Sequence, residues 1–321
     1  MLYNIAAIIV GFLLVIWSAD RFITGAAATA RNLNVSPLII GLTIVGFGTS
    51  APEMLIAVIA AADASPGLAV GNAIGSNITN ITLVLGVSAL IVPLHVHSGI
   101  LRKELPLLLA AMLLMLLVIQ DNHLGRTDGL ILWTSVLLLM WWVIRQALIN
   151  RSEDPMYAEF EQELPRPMST RLALVWLVIG LTLLIISSRI LVWGAIEIAT
   201  ELGVSDLLIG LTIIAIGTSL PELAAAIAGA LKNEHDIVIG NVVGSNMFNT
   251  LAVMGIPGLI YPSTLDAGVL QRDVPVVFIL TIALVIMAFG FKGQGRINRI
   301  EGATLFSCFV GYQVLLYFTE L

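Results

Sequence analysis

Apolar side chains along the chain run in long stretches separated by short polar ones, covering roughly residues 2–30, 36–62, 68–93, 99–120, 127–149, 171–200, 205–231, 237–260, 268–291 and 298–319. About 20 apolar residues cross a bilayer as a helix, and each of these runs reaches that length. The strands of a membrane barrel would alternate over about ten residues, whereas these runs are continuous. The pattern therefore predicts an all-α polytopic membrane protein with ten transmembrane helices. The start, Met1-Leu2-Tyr3-Asn4-Ile5, has no basic n-region, so the first span is expected to be retained rather than removed as a signal peptide.

Composition agrees. Only 11% of the 321 residues are charged and 58% are hydrophobic, where a soluble chain has about 25% charged. The single cysteine, Cys308, excludes an internal disulfide, and a net charge of −6 leaves no basic footprint for nucleic acid. No Ser/His or paired-Asp catalytic motif falls at membrane depth, so the chain does not read as an enzyme, and neither a cofactor nor a protein partner is implied. The partner that composition does imply is the lipid bilayer. Of the Lys and Arg residues, only Arg126, Arg189 and Arg272 fall on the side of the even-numbered loops. The positive-inside bias then places the odd-numbered loops in the cytoplasm and both termini on the outer side.

The chain also repeats itself. Gly46-Phe47-Gly48-Thr49-Ser50-Ala51-Pro52-Glu53 recurs 169 positions later as Ala215-Ile216-Gly217-Thr218-Ser219-Leu220-Pro221-Glu222. The longer segments 35–53 and 204–222 agree at 13 of 19 positions. At the same offset Gly71-Asn72-Ala73-Ile74-Gly75-Ser76-Asn77-Ile78-Thr79-Asn80 matches Gly240-Asn241-Val242-Val243-Gly244-Ser245-Asn246-Met247-Phe248-Asn249. Shared Gly, Thr, Ser, Pro, Glu and Asn are not filler in a membrane span, so the chain reads as a duplication. Residues 1–149 and 171–321 each hold five predicted helices; the number is odd, so the second copy is expected upside down relative to the first. Inverted repeats place ion sites where the halves meet near the bilayer midplane. Residues 150–170, with Glu153, Asp154, Glu159, Glu161 and Glu163, read as a short acidic cytoplasmic linker. They lack the spaced ligands of a calcium loop.

Two acids stand apart from the loops. Glu53 lies nine residues from the end of its span, about 14 Å at 1.5 Å per residue, and Glu222 sits at equivalent depth. A carboxylate there costs several kcal/mol unless it is neutral, paired or coordinated. On an ideal helix Gly46, Thr49, Ser50 and Glu53 share one sector, as do Ala215, Thr218, Ser219 and Glu222. Pro52 and Pro221 remove an N–H and free the carbonyls of Gly48 and Gly217. Ser76 and Asn80, like Ser245 and Asn249, are four residues apart on one face, with Asn72 and Asn241 one turn earlier. Asn77 and Asn246 point elsewhere, as braces between helices. These are hard oxygen donors, which suit Ca²⁺ or Na⁺; soft metals would want Cys or His. His95, His97, His123 and His235 all fall near loops and read as interfacial, with pH sensing by His95 and His97 as the alternative.

The doubled Gly-Thr-Ser-x-Pro-Glu motif, each copy followed by Gly-Asn-x-x-Gly-Ser-Asn-x-x-Asn, resembles the two α-repeats of the calcium/cation antiporter superfamily, and most of all its bacterial sodium/calcium exchanger branch. The resemblance implies ten helices in two inverted halves, with helices 2, 3, 7 and 8 forming a central core of four cation sites. It implies Glu53 and Glu222 as calcium ligands shared with sodium, and Thr49 and Thr218 as carbonyl ligands of calcium. It further implies Ser50, Ser219, Ser76 and Ser245, with the carbonyls of Gly46 and Ala215, as flanking sodium ligands, and helices 1 and 6 sliding over the core. The implied activity is Na⁺/Ca²⁺ antiport in a bacterial plasma (inner) membrane.

One departure from the family pattern concerns Asn249, which stands where some members carry Asp, so that both halves have Asn (Asn80 and Asn249). That speaks against potassium co-transport and against proton coupling through this position. The rival reading is Ca²⁺/H⁺ antiport, with Glu53 and Glu222 carrying the protons; a channel or a non-transporting scaffold is the alternative from another class.

Overall fold

The computed structural model describes residues 2–33, 35, 46–97, 99–149, 167–289 and 295–320. The expected helix over 36–45 and the acidic linker over 150–166 lie outside these described residues. The rest is helical: α1 (Leu2–Asn32), a single turn Gly46–Thr49 leading into α2 (Ala51–Ala62), α3 (Pro66–Ile91), α4 (Gly99–Ile119) and α5 (Arg126–Ile149). After the linker come α6 (Thr170–Leu202), α7 (Asp206–Leu231), α8 (His235–Ile260), α9 (Val269–Phe289) and α10 (Arg299–Glu320). Among the described residues, seven of these helices are long and apolar enough to cross a membrane: α1, α3, α6, α7, α8, α9 and α10.

Polarity sorts the helices into centre and periphery. In its most apolar stretch α3 is 78% buried in protein and α8 83%, against 33% for α1 and for α6. The buried pair is also less hydropathic, at 1.6 and 1.4 against 2.2 and 2.3. Side chains that cannot face lipid are thus gathered on the helices that never meet it. α3 and α8 are joined by amides: Asn77 Nδ2 donates to Thr250 Oγ1 (2.9 Å), Asn80 Nδ2 to Asn246 Oδ1 (3.1 Å) and Asn246 Nδ2 to the Asn77 carbonyl (3.3 Å). The expected bracing role of Asn77 and Asn246 is what the structure has.

α1 and α6 pack antiparallel along their length, with the Ser18 and Ser187 hydroxyls 3.5 Å apart. The approach is close because glycines line it. A Cβ on Gly25 would lie 2.3 Å from the Leu177 nitrogen, and one on Gly180 would lie 2.4 Å from the Phe22 nitrogen. Small residues that let backbones touch are how helices associate where lipid supplies no hydrophobic drive.

Two local features differ from an ideal-helix reading. The helix expected through residue 62 breaks at Ser50 (φ −87°, ψ 4°), and α7 breaks likewise at Ser219 (φ −83°, ψ 1°). Each break stands two residues before a proline, whose missing N–H and bulky ring are accepted in a first helical turn but not inside a helix. Asn80 and Asn249 each open a π-helical turn, Asn80–Leu85 and Asn249–Val253. Such turns concentrate at functional sites. Four two-residue strands also pair across connections: β1 (Leu94–His95) antiparallel with β4 (Arg296–Ile297), and β2 (His123–Leu124) with β3 (Ser263–Thr264).

Candidate cation site

The two breaks put short polar side chains at the centre of the protein. Thr49, Ser50 and Glu53 in one half, and Ala215, Thr218, Ser219 and Glu222 in the other, are all buried, with Glu53 0% and Glu222 1% exposed. Ser76 and Asn80 on α3 are buried with them, as are Ser245 and Asn249 on α8. Gly46 opens the turn that ends in Thr49.

Polar contacts in the site cross from one half to the other. Thr218 Oγ1 donates to Asn72 Oδ1 (3.4 Å) and lies 3.5 Å from Ser76 Oγ. At the matching place Thr49 Oγ1 donates to Asn241 Oδ1 (3.4 Å) and lies 3.2 Å from Ser245 Oγ. Each threonine of one half is therefore seated on the Asn–Ser pair of the other. Thr218 also lies beside the Glu53 carboxylate and Thr49 beside that of Glu222, and the charge of Glu53 is felt at Glu222. The sequence-predicted residues thus converge on one site rather than two.

Among the described residues, no hydrogen-bond partner meets Oε1 or Oε2 of Glu53 or Glu222, the hydroxyls of Ser50 and Ser219, Asn80 Oδ1, or either amide atom of Asn249. An unsatisfied buried polar group costs about 1–3 kcal/mol, and more when charged. A cation is the one partner that would satisfy two carboxylates together with several hydroxyl, amide and carbonyl oxygens. Every donor is a hard oxygen, the set that Ca²⁺ and comparable ions take. Imidazole and thiol lie elsewhere. His95, His97 and His235 gather with ring centroids 5.5–6.5 Å apart where β1 meets the start of α8, and Cys308 is exposed on α10.

Asn72 is the residue that pattern reading undervalued. Besides accepting from Thr218 and from Ser76 Oγ (3.4 Å), it donates through Nδ2 to the Glu53 carbonyl (3.3 Å). It therefore ties the first broken helix to the second half. The signal available in sequence was its place in the repeated Gly-Asn pair, four residues before Ser76.

A family profile described as sodium/calcium exchanger protein matches residues 3–145 and 172–318, which is most of the chain and both halves of the site. The chain belongs to the sodium/calcium exchanger family. Its family is one of cation antiporters, and relatives and solved structures agree with that placement. A candidate antiporter, CaxA of Alkalimonas amylolytica, is 49% identical over 99% of this chain and 99% of its own length. The inner membrane protein YrbG of Escherichia coli is 40% identical over 99% of this chain and 98% of its own. The sodium-calcium exchanger NCX_Mj, solved after soaking with Na⁺ and Sr²⁺, superposes with a TM-score of 0.69 at 29% identity, covering 100% of this chain and 99% of that one.

Proposed function

We propose that this chain exchanges Na⁺ for Ca²⁺ across a bacterial inner membrane by alternating access. The observation that carries the proposal is the central pair of buried carboxylates, Glu53 and Glu222, one from each half and without a cationic partner among the described residues. Glu53, Glu222 and the carbonyls of Thr49 and Thr218 take calcium. Ser50, Ser219, Ser76 and Ser245, with the carbonyls of Gly46 and Ala215, take sodium on either side. Asn80 and Asn249 offer neutral oxygens at the centre. No protein partner and no resident cofactor enter this reading; the ions are cargo.

Two inverted five-helix halves, residues 1–149 and 171–321 joined by the linker 150–170, belong to the same reading. Several observations support it. The antiparallel α1–α6 contact is reciprocal at the 169-residue offset, with Gly180 against Phe22 and Gly11 against Leu191. The β1–β4 ladder spans α4 to α9, and the β2–β3 ladder spans α5 to α8. An even number of crossings returns each strand to its partner's end of the molecule. The Lys and Arg bias then favours both termini on the outer side, and the name of the Escherichia coli relative favours an inner membrane.

Charge fixes the sign of the cycle. One Ca²⁺ neutralises two carboxylates, whereas three Na⁺ leave one positive charge, so a three-for-one exchange moves net charge. Each charge is worth about 2.3 kcal/mol per 100 mV, which assists calcium extrusion. The second reading, Ca²⁺/H⁺ exchange, is favoured by one observation: Glu53 and Glu222 lie close enough to interact electrostatically, and such a pair can hold protons in place of sodium. Radioactive calcium uptake into vesicles loaded with sodium, with and without a pH gradient, separates the two. Uptake driven by sodium alone supports the proposal; uptake that ignores sodium and follows the pH gradient replaces it with proton exchange.

Asn72→Ala removes three hydrogen bonds that hold Glu53 and Thr218 in register. At about 1 kcal/mol for a typical bond, apparent calcium affinity is expected to fall about tenfold. Asn72→Asp, which can accept from Ser76 and Thr218 but cannot donate to the Glu53 carbonyl while ionised, separates the two roles. Affinity within twofold of the parent in both variants would remove Asn72 from the site.

A further inference from the structure

Outside the cation site, one ion pair joins the α1–α6 pair to the core. Arg189 Nη1 of α6 lies 2.5 Å from Oδ2 of Asp63, the residue that ends α2. An ion pair this exposed, with side chains 57% and 29% accessible, would ordinarily contribute little. Its counterpart in the other half gives it meaning. At the 169-residue offset Arg189 corresponds to Asp20 on α1, and Asp63 corresponds to Lys232, which ends α7. The charges are exchanged but still opposite: base on the long helix and acid on the core in one half, acid on the long helix and base on the core in the other.

In this structure only the first of these pairs is closed. Asp20 instead lies 3.7 Å from Arg21, whose guanidinium rests over the rings of Trp17 and Trp176, so its partner belongs to the α1–α6 pair itself. The two ends of the core differ in the same sense. At the Asp63 end Gly71, Asn72 and Gly75 of α3 are buried, and a Cβ on Gly75 would lie 2.7 Å from that of Ala215. At the Lys232 end the matching Gly240, Asn241 and Gly244 of α8 are only half-buried, and nothing among the described residues lies within 4 Å of a Cβ placed on Gly244.

We infer that the two ion pairs are reciprocal latches between the α1–α6 pair and the core: Asp63–Arg189 holds the Asp63 end shut while the Lys232 end is open, and Asp20–Lys232 closes in the opposite state. The inference rests on the inverted-repeat reading above. It explains why positions that differ in charge between the halves are nonetheless complementary within each pair. With α1 and α6 packed on each other at glycine distance, displacement of one carries the other, so one latch opens as the other closes.

The test uses the full chain in lipid vesicles with Cys308→Ala, so that introduced cysteines are the only ones. The pair Asp63→Cys with Arg189→Cys, the pair Asp20→Cys with Lys232→Cys, and all four together are oxidised, and bridges are counted per molecule by mass spectrometry. Both bridges are expected in the separate variants. In the four-cysteine protein, molecules with one bridge should carry the other about tenfold less often than chance, as two exclusive states require. Arg189→Gln should speed the Asp20–Lys232 bridge about threefold, the scale of one modest ion pair. Independent bridging, no Asp20–Lys232 bridge, or a rate indifferent to Arg189→Gln overturns the latch. Single cysteines at 63 and 232 are also labelled with a membrane-impermeant thiol reagent. Labelling from the same side overturns the inverted-repeat reading itself, and labelling from opposite sides assigns any failure to the latch alone.

Discussion

Glu53→Gln and Glu222→Gln are each expected to lower sodium-driven calcium uptake by about a hundredfold or more. Removing one member of a buried charge set costs about 3–5 kcal/mol, which is two to three powers of ten in affinity, and a divalent ion here would lose half its countercharge. The amide is close in size to the carboxylate, and among the described residues neither carboxylate has a hydrogen bond to lose. Both variants should therefore fold. Calcium at a hundredfold excess over its dissociation constant stabilises a protein by about 2.7 kcal/mol; the parent should show a matching rise in melting temperature and the Gln variants should not. Uptake within threefold of the parent would remove the carboxylates from the calcium site. Loss of folded protein without calcium would make them structural.

The reach of the sequence is clearest at these same residues. Depth along an apolar run, together with a repeat of uncommon residue types, was enough to bring Glu53 and Glu222 to one place, because helices in a membrane are straight enough for counting residues to measure distance. The Ser50 and Ser219 breaks follow from the prolines, but an ideal-helix projection could not place them to the residue. The π-helical turns at Asn80 and Asn249 have no side-chain signature, since an extra residue in a turn leaves composition unchanged. Likewise, the seating of Thr218 on Asn72 and Ser76 depends on how two halves meet, which no periodicity within one half records. Two-residue strands such as β1 and β4 are too short for any alternation to show. The pairing of Arg189 with Asp63 was hidden for another reason: each lies near a helix face or end where a charge is ordinary, and only their contact makes them a pair.

Asn249→Asp is expected to make exchange strongly pH-dependent, and the sign follows from counting charges at the centre. Asn249 is fully buried at the start of its π-helical turn, and neither amide atom has a partner among the described residues. An amide does not titrate, so in the parent the centre gains or loses protons only through Glu53 and Glu222. A third carboxyl changes both loaded states. With all three ionised, three Na⁺ are neutralised but one Ca²⁺ leaves the centre at −1, a buried net charge that is costly. Calcium then binds well only if Asp takes a proton, whereas sodium binds best when it does not. Raising the pH from 6 to 8.5 should therefore weaken calcium and strengthen sodium in the variant, about tenfold in their ratio per charge-equivalent of roughly 1.4 kcal/mol. The parent should move less over the same range. Calcium and sodium half-saturation measured across that range in vesicles, for parent and variant side by side, gives the answer. A ratio that shifts equally in both would mean that residue 249 does not face the ions, and the central site would then consist of the glutamates and threonines without it.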